Sequence, residues 1–163
     1  MEIQFSEATQ QRINQIVARY PEGKQKSALI PVLHIAQEEF GGWLDVPHLD
    51  YVAKVLDLLP VEVYEVASFY TMFQLNPVGK YVLQVCQTGP CMIKGADHII
   101  QHIKNKLNID IGGTTEDGLF TLQTVECLGA CGYAPMMQLG KTYREFLTTE
   151  KVDELIEELK KLA

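Results

Sequence analysis

The sequence predicts an α+β fold in two parts, a small N-terminal helical bundle over residues 1–77 and a β-α-β-β-α domain over residues 78–163. Three observations predict it. The first half carries apolar residues at helical spacing and no strand-like run. The pattern breaks at Asn76-Pro77-Val78-Gly79, a turn-forming cluster. Beyond it, short β-branched and aromatic runs alternate with helical stretches.

The bundle reads as four helices. Ser6 is placed to cap a first segment that reaches Tyr20, with Ile13, Ile16 and Val17 on one side and Pro21-Glu22-Gly23 ending it. Ser27 opens a second, in which Leu29, Leu33, Ala36 and Phe40 form one stripe, Pro31 falls in the first turn and Gly41-Gly42 stops the helix. Pro47 begins a third, with Leu49, Val52, Ala53 and Leu56 inward. Pro60 begins a fourth, running through Ala67. Short connections between such segments suit an antiparallel bundle. The block Phe69-Tyr70-Thr71-Met72-Phe73 is predicted as core, the usual fate of an aromatic stripe.

In the second half, residues 80–85 read as a strand. A helix follows from about Gly95 to Leu107 with Ile99, Ile100, Ile103 and Leu107 on one side. A glycine-rich loop over 112–118 leads to a strand over 119–125, and residues 136–139 form a third. The last helix has the clearest stripe, Val152, Leu155, Ile156, Leu159 and Leu162. Thr149 is its predicted cap, and Glu157 to Lys161 a favourable i,i+4 pair. Helices on both faces of the sheet would be the natural layering.

Composition narrows the function classes. Apolar residues make up 47% and charged residues 21%, the balance of a soluble globular chain. The first residues, Met1 to Glu7, have neither a basic start nor an apolar run, so the sequence predicts no secretory signal or transit peptide. The longest uncharged stretches, 66–79 and 127–140, have 14 residues each and contain Gly and Pro. A membrane helix needs about 20 apolar residues, so no membrane insertion is expected. Net charge is −7: residues 1–79 hold 10 acids and 5 bases, and residues 80–163 hold 11 and 9. An acidic chain without a Lys/Arg stripe is a poor match for a phosphate backbone, which sets nucleic acid aside.

The chemistry lies in four cysteines, all in the second half. Cys86 and Cys91 are spaced C-x4-C, Cys127 and Cys131 C-x3-C, with 35 residues between the pairs. Each pair follows a predicted strand, so two strands of one sheet can bring them together. Disulfides are disfavoured in a chain with no export signal. A thiol–disulfide enzyme would use C-x-x-C at a helix start, a motif this sequence lacks. A tetrahedral zinc site of four thiolates stays open on spacing alone. Two features favour a 2Fe–2S cluster over zinc. Gly89, Pro90, Gly129 and Ala130 let backbone N–H groups approach sulfur, and two pairs suit two irons.

Residues 27–41 and 64–73, Gly89-Pro90-Cys91-Met92, Glu126-Cys127-Leu128-Gly129-Ala130-Cys131 and Ala134-Pro135-Met136-Met137 together carry a family resemblance. The chain resembles the thioredoxin-like 2Fe–2S subunit of the NADH-dehydrogenase module of respiratory complex I (NADH:quinone oxidoreductase). The resemblance spans nearly the whole chain and makes zinc remote. It implies a helical bundle followed by a thioredoxin-like ferredoxin domain, and one 2Fe–2S cluster per chain on Cys86, Cys91, Cys127 and Cys131. It further implies single-electron exchange with a flavin, FMN and NADH being held by a partner subunit. The location implied is cytoplasmic, peripheral to the inner membrane through the complex. Equivalent subunits serve NAD-linked hydrogenases and formate dehydrogenases, and a free-standing ferredoxin would not need the bundle. Gln87 departs from the family's more usual Thr.

Two further readings bear on the site. His98 and His102 share a helical face, but with no third ligand nearby they read as solvated residues and not as a metal pair. Neither G-x-G-x-x-G after a strand nor a P-loop occurs, so the electrons must come from a partner.

Overall fold

The computed structural model describes residues 3–162 and divides the chain into two compact units, Met1–Pro77 and Val78–Ala163. The first unit is helical. Helix α1 (Glu7–Val17) is capped by Ser6, whose side chain accepts from the Thr9 N–H. A 3-10 turn (Gln25–Ala28) leads into α2 (Leu29–Glu39). Ser27 therefore lies inside the 3-10 turn and does not cap α2, whose N-cap is Ala28 with no side-chain bond. Helix α3 (Val46–Leu56) starts from a reciprocal cap: Asp45 accepts from the His48 N–H at 3.0 Å, and His48 Nδ1 accepts from the Asp45 N–H at 3.3 Å. Helix α4 (Pro60–Phe69) begins on its proline, whose missing N–H costs nothing in the first turn.

The core of this unit is the set of stripes read from the sequence, Ile13, Leu29, Leu33, Ala36, Leu49, Val52, Ala53 and Leu56, joined by Val63, Ala67 and Phe73. Burying each large apolar side chain is worth about 1.5–3 kcal/mol. The aromatic block departs from its core assignment. Only Phe73 is buried, while Phe69 is 76% exposed and Tyr70 and Met72 are also exposed. Beyond Phe69 the helix has ended, and the helical period no longer carries these side chains inward.

The second unit is built on a four-stranded mixed sheet of order β2-β1-β3-β4, from β1 (Tyr81–Cys86), β2 (Phe120–Val125), β3 (Met137–Leu139) and β4 (Thr142–Arg144). β1 and β2 run parallel, and β1–β3 and β3–β4 are antiparallel. Parallel neighbours need a crossover. It is supplied here by a short helix α5 (Gly89–Ile93) and by α6 (Ala96–Leu107). Gly79 enters the sheet so close to Leu119 and Phe120 that a Cβ there would sit 2.9 Å from their backbone.

The chain ends in α7 (Thr149–Lys161), which is capped by Thr148, one residue earlier than predicted; Thr148 Oγ1 accepts from the Lys151 N–H at 3.3 Å. Leu162 is 64% exposed at the helix end and leaves the stripe. Glu157 pairs with Lys160 at 3.3 Å, the i,i+3 neighbour, in place of Lys161. One sheet face, with Leu83, Val85, Phe120, Leu122 and Met137, packs on Ile99, Ile100 and Ile103 of α6 and on Val152, Leu155, Ile156 and Leu159 of α7. Among the described residues of this unit, both long helices, α6 and α7, thus pack on the same face, where one on each was expected. Gln84 and Gln123, opposite each other in register and turned to the other face, share a hydrogen bond of 3.2 Å.

Beyond the predicted elements the structure adds strand β4 and helix α5. Among the described residues, no helix is long and apolar enough to cross a membrane.

Candidate cluster site

The parallel pairing of β1 and β2 assembles the site. In register, Cys86 at the end of β1 lies beside Val125 at the end of β2. Parallel strands are about 4.8 Å apart, so the loops that leave them start as neighbours. The first loop turns at once into α5, which carries Cys91. The second passes Cys127 and enters a 3-10 turn, Cys131–Tyr133. Both predicted cysteine pairs thereby arrive at one end of the sheet.

The two pairs differ in environment. Cys86 and Cys91 are each 2% exposed and sit in a small core with Ala96, Ala134 and Met136, against which Leu128 and Ala130 also pack. Cys127 and Cys131 are exposed, with their sulfurs 3.8 Å apart. Among the described residues, no three His, Cys, Asp or Glu side chains converge as ligands of a single ion. The thiols stand two and two.

Hydrogen bonds from the surrounding chain point at sulfur. The Gly129 N–H donates to Cys127 Sγ at 3.4 Å. Gly129 has φ +77°, a left-handed conformation that suits glycine, and this turn aims its N–H at the sulfur. Thr88 Oγ1 lies 3.3 Å from Cys86 Sγ. Burial would raise the Cys86 thiol, but hydrogen bonds from Thr88 and from the Leu128 backbone outweigh it and hold the thiol below its ordinary value. Burial pushes Cys91 up to about 11, and the adjoining Cys86 adds to this. Cys127 is held low, first by the Gly129 N–H and then by Cys131 and Thr88, while Cys131 is raised mainly by Cys127. Each pair thus has one thiol held below its ordinary value and one raised above it.

This donor set fits a 2Fe–2S cluster. Four sulfurs stand in two pairs, one pair shielded and one accessible, with N–H and O–H donors around them and no competing carboxylate or imidazole among the thiols' hydrogen-bond partners.

The histidines take other roles. His98 is exposed. His102 does not stand free on a solvated face, because its Nε2 lies 2.8 Å from Asp153 Oδ1 and ties α6 to α7. Gln87, the departure noted in the sequence, is exposed and donates its backbone N–H to Val125 O at 3.0 Å. Thr88 reads in the sequence only as part of a turn, although a signal for it is present, a Thr before Gly89-Pro90 in a helix-capping position. Tyr143, whose hydroxyl donates to Leu128 O at 2.9 Å, leaves no comparable trace.

An open α+β sheet with four thiols brought to one end is the frame of a thiolate metal or iron–sulfur site. A model of the thioredoxin-like [2Fe-2S] ferredoxin family matches residues 13–160, and the chain belongs to that family; its cofactor is a 2Fe–2S cluster. Similar proteins include the E-subunit of the NADH-quinone oxidoreductase of Rickettsia felis, 48% identical over 143 residues that cover 88% of this chain and 86% of the relative. The corresponding protein of Rickettsia conorii is 46% identical over 145 residues, covering 89% and 87%.

Among solved structures, a chain of an NAD+-reducing [NiFe]-hydrogenase in the H2-reduced state superposes with a TM-score of 0.73 at 24% identity. That match covers 83% of this chain but only 22% of the hydrogenase chain, and it speaks for the fold alone.

Proposed function

We propose that this chain is the 2Fe–2S electron-transfer subunit of an NADH–quinone oxidoreductase, and that Cys86, Cys91, Cys127 and Cys131 hold its single cluster. One observation carries the assignment of ligands: the register of β1 and β2 brings both cysteine pairs to one sheet end. The host complex is supported by relatives of 46–48% identity along most of both chains. A hydrogenase host has only the shared fold in its favour.

When bound, the cluster supplies a store for one electron. The protein's own residues do the rest. Cys86 and Cys91 shield one side from water, while N–H and O–H donors offset the negative charge on sulfur. Cys127 and Cys131 leave the other side open to a partner. The electron comes from a flavin held, with the NADH site, by a partner subunit. The chain sits on the cytoplasmic side, peripheral to the inner membrane through the complex.

The test is anaerobic co-expression with a flavin- and NADH-binding subunit of the complex. The pair should co-purify, with about two irons and two labile sulfides per copy of this chain. Stoichiometric zinc without sulfide overturns the cofactor assignment. A chain that keeps its cluster but never co-purifies overturns the partner.

A further inference from the structure

Thr88 occupies the N-cap position of α5. Its carbonyl behaves accordingly, accepting from the Met92 N–H at 3.1 Å. A Thr in that place normally turns its hydroxyl onto the backbone N–H two or three residues on. Thr88 makes no such cap bond. Its hydroxyl instead lies 3.3 Å from the sulfur of Cys86, a buried residue. The hydroxyl is turned away from the helix and onto sulfur.

We infer that Thr88 is a positioning residue that sets the reduction potential, by donating its hydroxyl proton to the Cys86 sulfur. The inference rests on the four cysteines being the ligands. In the metal-free chain either partner can be the donor. A thiolate bound to iron has no proton, so Thr88 then donates. Reduction adds one electron and hence one negative charge to the sulfur-ligated group. A hydrogen bond to a charged acceptor strengthens as that charge grows. The bond therefore favours the reduced state and raises the potential.

The experiment is an anaerobic redox titration, followed by EPR, of the full-length cluster-loaded protein and of Thr88→Val and Thr88→Ser, each with iron and sulfide counted. Val keeps the shape and removes the donor; Ser keeps the donor. The Val variant should hold a full cluster whose reduction equilibrium is about tenfold less favourable, a midpoint lower by about 59 mV for a one-electron couple. The Ser variant should stay within twofold of the parent. If Val fails to load, Ser decides: a full cluster at the parent midpoint upholds the hydroxyl, and loss in Ser as well overturns it. A loaded Val variant whose midpoint stays within twofold or rises also overturns the inference, as does a Ser variant that shifts as far as Val. Failure of the ligand assignment would show separately, as a full complement of iron and sulfide kept by Cys86→Ala.

Discussion

The hydroxyl of Tyr143, on the edge strand β4, donates to the main-chain oxygen of Leu128 at 2.9 Å, in the loop between Cys127 and Cys131. A strand with no buried residue of its own is thus tied to the loop that carries the exposed cysteine pair. A neutral hydrogen bond contributes about 0.5–1.5 kcal/mol net, and one near solvent falls at the low end. Tyr143→Phe should therefore leave the fold unchanged while quickening loss of iron to a chelator. Equal rates of iron release from parent and variant would show that the bond does not hold the loop.

Each of Cys86→Ala, Cys91→Ala, Cys127→Ala and Cys131→Ala should abolish or badly destabilise the cluster, because each leaves an iron one thiolate short. The two cysteines of the small buried core, Cys86 and Cys91, should also cost folding stability, as their sulfurs pack against Ala96, Ala134 and Met136. His98→Ala with His102→Ala should leave iron content and the reduced EPR spectrum unaltered. Iron loss in that double variant would make a histidine part of the site.

Much of this architecture was legible in the sequence because it rests on periodicity. The α+β class and the stripes Leu49, Val52, Ala53, Leu56 and Val152, Leu155, Ile156, Leu159 follow from the helical repeat, and these residues are buried. What periodicity cannot see was missed. Strand β4 is three exposed residues behind the two-residue loop Gly140-Lys141, so it has no apolar face to alternate. Helix α5 is five residues opened by Gly89-Pro90, which read as a turn. Phe69, Tyr70 and Met72 have core composition, but they sit at and beyond the end of α4, where composition no longer fixes direction. The cysteine spacing pointed to four thiols meeting at strand ends, and the sheet brings both pairs to one end. Which neighbours bond to sulfur depended on loop geometry at Thr88 and Gly129, which spacing does not encode.

Asp153 on α7 accepts from His102 at 2.8 Å and lies 3.4 Å from Lys106 on the same face of α6. The His102 hydrogen bond, with help from Lys106, holds its carboxyl below the ordinary carboxylate value of about 3.9. A carboxyl lowered in the folded state stabilises it above the unfolded pKa and loses that contribution as pH falls through the folded one. Asp153→Asn should lower the melting temperature of the metal-free chain near neutral pH. The gap from the parent should close as pH drops below the carboxylate range. A gap that persists into acid would mean that the loss is one of packing and not of charge.

NADH delivers two electrons together as a hydride, whereas a 2Fe–2S cluster takes one. A donor and an acceptor mismatched in this way need an intermediary that accepts a pair and releases singles, which is flavin chemistry. This chain's sequence has neither a G-x-G-x-x-G after a strand nor a P-loop with which to hold a nucleotide itself. The purified cluster-loaded chain should therefore stay oxidised in excess NADH over hours. Dithionite should reduce it by one electron per chain and bring up an EPR signal. Adding a catalytic amount of the flavin-bearing partner should then let NADH produce that same signal, at a rate proportional to the partner added. Steady NADH-dependent reduction of the pure chain, with contaminating flavin excluded by fluorescence, would place the nucleotide site here and remove the need for the partner.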